Sequence, residues 1–170
     1  MRAQPPDPAS DPAASRTPVQ SRLQTPRIGP SGQPLPRYAS LRASKVNLRT
    51  GPGVRYPIKW VYQRTGLPVE VIDEFETWRN IRDWEGATGW IHQSMLSPTR
   101  MILVVERQRL LRRKPDPQAG GVALVEPGVV GRLRGCDGAW CRVEIKGFSG
   151  WLRRDEIYGD DDPARLTSGR

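Results

Sequence analysis

Two stretches of this 170-residue chain carry the same layout. When Gly66 is laid over Gly128, Trp78 falls on Trp140. Ile81 falls on Val143, each three residues after its tryptophan. With one residue of slack, Gly89-Trp90-Ile91 falls on Gly150-Trp151-Leu152. Further back, Leu48-Arg49 falls on Leu111-Arg112 and Pro52 on Pro115. The period is roughly 60 residues, and a repeat constrains the fold more than composition does, because each unit must be one small structural module.

Each unit reads as short strands between turns. In the first, Val46-Asn47-Leu48 alternates with its apolar members inward. Trp60-Val61-Tyr62, "LPVEVI", "WRNIRDW" and, after the turn Glu85-Gly86-Ala87, "TGWIH" supply further strands. No window has a helical period, and 17 glycines and 17 prolines break the chain too often for helices of ordinary length. The expected class is all-β, with each unit a small barrel or sandwich. Only 36% of residues are hydrophobic, yet six are tryptophan. The four matched tryptophans, Trp78, Trp90, Trp140 and Trp151, therefore read as core, together with Val46, Leu48, Ile81 and Val143.

The first unit resembles the bacterial SH3-like domain, a small barrel common in cell-envelope and cell-wall proteins. The residues that carry the likeness are Val46-Asn47-Leu48-Arg49, Gly51-Pro52-Gly53, Tyr56-Pro57, Val69-Glu70-Val71, Trp78, Ile81 and Gly89-Trp90-Ile91. The run "HQSMLS" is similar to the family's closing 3₁₀ turn and last strand. The second unit matches more loosely, with "LLRRKPDPQ" in place of the glycine-rich corner. The resemblance implies two tandem, partly open barrels of five or six strands, over residues 38–100 and 101–159. It implies binding of peptidoglycan or another envelope ligand, without catalysis; fold alone does not name the ligand. Residues 1–37, rich in Pro, Ser and Arg, and the polar tail 160–170 are expected to be disordered.

The stretch "RTGPG" invites a phosphate-loop reading, but that needs a following helix opened by Lys-Ser/Thr. Here "VRYPIKW" follows, so the stretch reads as a chain corner, and no cofactor is expected. Its neighbours supply a candidate recognition groove. Tyr56, Trp60, Tyr62 and Trp84 offer stacking, with Trp84 at the tip of the charged turn "RDWEG". Arg49, Arg55 and Arg82 offer guanidinium forks for carboxylates.

Cys136 and Cys141 flank Asp137-Gly138, a hairpin turn signal, on neighbouring strands. A disulfide there suits the periplasm or the exterior; the alternative is two reduced thiols in the cytosol. The first residues hold no apolar leader; the expected location is the periplasm or the exterior, with the cytoplasm as the alternative. Zinc would need about four ligands, and His92 is the one histidine, so no metal is expected. The same scarcity of bases argues against an enzyme. Asp73, Glu74 and Glu76 read as a solvated turn without the apolar pocket a general acid needs. No stretch approaches the ~18 apolar residues of a membrane span.

The net charge of +9 is spread along the chain and interspersed with acids. That argues against nucleic acid, and the resemblance implies a cell-wall peptide or glycan, or an envelope protein, as partner. A single-strand-binding barrel and a structural or regulatory adaptor remain the alternatives.

Overall fold

The computed structural model describes residues 26–160; the expectations for 1–25 and 161–170 lie outside it. A short hairpin comes first, β1 (Arg27–Ile28) and β2 (Pro34–Leu35). The first barrel follows with β3 (Arg37–Leu41), β4 (Val46–Arg49), β5 (Ile58–Tyr62) and β6 (Pro68–Phe75). It continues with β7 (Trp78–Arg82), β8 (Thr88–His92), a 3₁₀ turn Gln93–Met95 and β9 (Leu96–Ser97). The second barrel opens with β10 (Met101–Val104), β11 (Arg109–Arg112), β12 (Gly121–Val125) and β13 (Val130–Asp137). Then come β14 (Trp140–Ile145), β15 (Phe148–Arg153), a 3₁₀ turn Arg154–Glu156 and β16 (Ile157–Tyr158).

The two sheets share one topology. The first runs β5-β4-β8-β7-β6-β3-β9 and the second β12-β11-β15-β14-β13-β10-β16. Each thus has seven strands, where the resemblance implied five or six. The additional strand of the first barrel is β3, whose pairing with β6 and β9 closes the sheet. The repeat holds down to single atoms. A Cβ on Gly89 would lie 2.6 Å from Leu48 Cγ and 2.9 Å from the Arg49 carbonyl. On Gly150 it would meet Leu111 Cγ at 2.6 Å and the Arg112 carbonyl at 2.8 Å. Only glycine allows β4 and β8, or β11 and β15, to approach this closely.

The cores are aliphatic. Leu35, Leu41, Val46, Leu48, Val69, Val71, Ile81 and Ile91 fill the first, with the ring of Tyr62. Ile102, Val104, Leu111, Val143, Ile145 and Leu152 fill the second, with Cys141. Each such aliphatic side chain stabilises by about 1.5–3 kcal/mol on burial. Val46, Leu48, Ile81 and Val143 thus lie inside as expected. The four matched tryptophans do not. Trp78, Trp90, Trp140 and Trp151 are half-buried and sit outside both clusters. Strand parity is the reason: Gly89 and Ile91 point inward, so Trp90 between them points out. Cys141 and Leu152 do the same to Trp140 and Trp151.

The disordered arm expected up to residue 37 is also corrected. Leu35 is buried in the first core, and β1–β2 docks beside β6. Asp160, assigned to the tail, is buried as well.

The barrels are joined by packing. The rings of Tyr38 and Tyr158 meet edge-on at 5.4 Å, and the Arg100 guanidinium lies 5.8 Å from the Tyr38 centroid. The Tyr158 hydroxyl donates to the Arg82 carbonyl at 3.0 Å, and Arg64 donates to the Gly128 carbonyl.

Candidate functional site

The corner after β4 is built by Arg49. Its Nη1 donates to the carbonyls of Val54 (3.1 Å) and Tyr56 (2.9 Å), tying the loop back to its own strand. Tyr56 lies across Gly51 so closely that a Cβ there would sit 2.4 Å from its ring. The glycine-proline-glycine corner is therefore a bed for an aromatic ring and the start of an outward-facing loop. The second barrel keeps the staple, with Arg112 Nη1 donating to the Ala119 carbonyl at 2.9 Å, but its loop carries no aromatic residue.

The Arg55 guanidinium lies 5.2 Å from the Tyr56 ring centroid. On either side of this pair the chain exposes large apolar surface, Val54 at 76%, Ile58 at 49% and Trp60 at 60%. Ile58 and Trp60 belong to β5, the edge strand of its sheet. Trp60 is paired with buried Leu48, and in the second barrel that position is Ala123, opposite Leu111. Beside the loop, Arg49, Trp90 and Asn80 form one cross-strand row on the outer face. Val54, Tyr56, Ile58 and Trp60 thus offer an apolar and aromatic strip along the open edge of the first barrel and its loop, with Arg55 at its margin, while Trp90 lies on the outer face.

Of the seven residues expected to bind, four stand here or support it: Arg49, Arg55, Tyr56 and Trp60. The other three lie elsewhere. Tyr62 is buried; its hydroxyl donates to Asp83 Oδ2 at 2.9 Å. Burial and that bond push its pKa well above the ordinary tyrosine range. Trp84 folds back from its turn onto the first core, its ring 6.1 Å from that of Tyr62. Asp83 bends the chain that way, its Oδ1 accepting from the backbone N–H groups of Glu85 (3.0 Å) and Ala87 (2.9 Å). Arg82 sits at the junction of the barrels, 3.5 Å from Glu70.

Val54 and Ile58 were missed as exposed apolar residues of this edge, and Trp90 as a residue of the outer face. The strand-flanking alternation of Gly89 and Ile91 carried the signal for Trp90. For Val54 and Ile58 no sequence pattern separates an exposed edge from a buried strand.

The acidic turn is also corrected, since Glu74 is buried. Its carboxylate receives Ser31 N (2.9 Å), Ser31 Oγ (2.7 Å), Arg37 Nη1 (2.8 Å) and Arg79 Nε (3.4 Å). Burial alone would raise its pKa; the Ser31 bonds and Arg37 outweigh burial and hold it below the ordinary value. A bulge between Val71 and Asp73 shifts the phase of β6 and turns Glu74 inward. Cys136 and Cys141 form a disulfide, their Cα atoms 4.0 Å apart at directly opposed positions. Among the described residues no group of three or more His, Cys, Asp or Glu side chains is placed to hold a metal ion. No helix among them is long and apolar enough to cross a membrane.

The family model for the bacterial SH3 domain matches residues 42–98 and again 106–159. The chain belongs to the bacterial SH3 domain family. This tandem of bacterial SH3 domains is similar in structure to NlpC1 of Trichomonas vaginalis, with 13% identity, 74% of this chain and 46% of that one covered, and a TM-score of 0.34. It is also similar to a NlpC/P60 family protein of Bacillus cereus, with 16% identity, 71% and 55% covered, and a TM-score of 0.33. The chain spans about half the length of both, and neither likeness is close enough to argue from. No curated protein matches in sequence. Bacterial SH3 membership points to a binding module associated with the cell wall, and the disulfide is compatible with a site outside the cytoplasm.

Proposed function

We propose that the protein is a non-enzymatic binding module of the periplasm or cell exterior. In this reading its first barrel recognises a peptidoglycan peptide or glycan through the strip of Val54, Arg55, Tyr56, Ile58 and Trp60. The observation that carries this is the exposure of Trp60 and Ile58 on an edge strand. An exposed apolar edge is an aggregation liability in a protein with no use for it. An extended peptide can pair with such an edge, and a sugar ring can stack on the indole. Arg55 would meet the carboxylates of the ligand. The interspersed charge supports this reading over nucleic acid, since Arg27, Arg37, Arg82, Arg109 and Arg134 are each committed to a carboxylate. The test is retention on purified sacculi. Wild-type protein is expected to be held and Trp60→Ala to wash through with its fold intact. Equal retention of the two would overturn the assignment.

A further inference from the structure

A cleft lies elsewhere on the first barrel, away from β5, between β3, β7, the 3₁₀ turn and β9. It has a volume of about 280 Å³, and its wall includes Arg37 and Ala39 of β3, Arg79 of β7, Gln93 of the 3₁₀ turn, and Leu96 with Pro98 around β9. That is close to the lower bound of small-molecule sites, ~300 Å³. Gln33, from the hairpin that precedes the family match, completes the rim.

The polar groups of this wall are arranged asymmetrically. Glu74 behind it is satisfied by donors from Ser31, Arg37 and Arg79, so it has little left to offer a ligand. Arg79 is committed through four of its five N–H groups: Nε to Glu74, Nη1 to the Glu76 (2.9 Å) and Trp78 (3.0 Å) carbonyls and Nη2 to Gln93 Oε1 (2.9 Å). That last bond orients the Gln93 amide and leaves its NH₂ as the group presented to a ligand. Arg37 reaches Glu74 and the Pro34 carbonyl through Nη1 alone, which leaves the Nε and Nη2 donors. Two arginines against one glutamate give the cleft a net positive charge. The groups remaining to a ligand at Arg37 and Gln93 are donors, and the facing surface of Ala39, Leu96 and Pro98 is apolar.

The geometry points to a binding site for a carboxylate that carries a small aliphatic substituent, such as the free C-terminus of a short peptide ending in a small apolar residue. The carboxylate would lie against Arg37 and the Gln93 amide, with the substituent on Ala39, Leu96 and Pro98. This site is separate from the strip on β5 and does not depend on that assignment. The second barrel has no counterpart, because Cys136 and Cys141 stand where Glu74 and Arg79 stand in the first.

The test is a titration of the isotope-labelled full chain, followed by amide chemical shifts, with acetyl-Ala-Ala, its C-terminal amide, and inorganic phosphate. The acid is expected to shift Arg37, Ala39, Gln93 and Ser97, and the amide to bind at least about tenfold more weakly. Gln93→Ala, at an exposed position that does not threaten folding, and Arg37→Lys, which keeps the charge on Glu74, should each weaken the acid about tenfold. Leu124→Ala, exposed on the second barrel, should leave it unchanged. Absence of shifts, equal binding of acid and amide, phosphate binding as tightly as the acid, or loss of the acid in Leu124→Ala would each overturn the proposal. Sacculus retention lost in Trp60→Ala but kept in Gln93→Ala separates this site from the strip.

Discussion

Glu74 and Arg79 face each other across the β6–β7 hairpin at the register that Cys136 and Cys141 hold across β13–β14. One repeated position is stapled by a buried ion pair in the first barrel and by a covalent bond in the second. The two staples differ in their chemical sensitivity: acid loosens one, and a reductant cuts the other.

Replacing Glu74 by Gln is expected to destabilise the first barrel by about 3 kcal/mol, because Arg79 stays buried without its counter-charge. The pH dependence follows from the depressed pKa. In the folded state the carboxyl titrates below its ordinary value of 4.5. Its contribution is complete above that value and is lost as pH falls through the depressed one. Denaturant melts between pH 7 and 3 should show a steep acid loss in the wild type and a flatter profile in Glu74→Gln. Parallel profiles would contradict the buried pair. Glu70 acts in the opposite sense: burial raises its pKa against the pull of Arg82, so its contribution is present in acid and fades as pH rises.

Reduction of Cys136–Cys141, or the double change to Ser, should cost no more than about 2 kcal/mol, since the bond closes a loop of few residues. Calorimetry with and without reductant reads this directly. A loss of several times that size would mean that the bridge holds the barrel together and does more than stiffen one hairpin.

Trp60 and Trp84 should behave differently on truncation. Trp60→Ala removes an exposed ring and is expected to change stability by less than about 0.5 kcal/mol. Trp84→Ala uncovers Tyr62 and the edge of the first core and should cost about 2 kcal/mol. Thermal melts of the two variants suffice, and equal melting points would refute the placement of Trp84.

Tyr158→Phe removes the hydroxyl that reaches the Arg82 carbonyl, at a cost of about 1 kcal/mol. Tyr158→Ala also removes the ring packed on Tyr38. The wild type is expected to unfold in one transition and the Ala variant in two, one per barrel. A single transition in both would show that the barrels are coupled by other contacts.

Strand identity was legible because apolar residues alternate in "VNL" and "TGWIH" and because the repeat doubles every signal. The disulfide was legible from a turn dipeptide between two cysteines. The tryptophans were misread because aromatic content says how much ring surface exists and not which face carries it. Gly89 and Ile91 decide that for Trp90. The hairpin of residues 27–35 was read as disordered because one leucine among prolines and polar residues is no local signal; Leu35 gains its place only from the core that receives it. Of the candidate strip, Arg49, Arg55, Tyr56 and Trp60 were legible as chemistry, whereas the separation of Tyr62 and Trp84 from them was not.

By itself the sequence determined the repeat, the all-β class and the placing of two cysteines about one hairpin turn. These depend on local alternation, turn residues and spacing, which act between near neighbours. Only the tertiary structure decided that β5 is an edge and that one bulge turns Glu74 inward. It alone decided that β3, β7 and β9 leave a donor-lined cleft between them. Those outcomes depend on which strands meet across tens of residues, and contacts of that range are fixed by closure of the barrel as a whole.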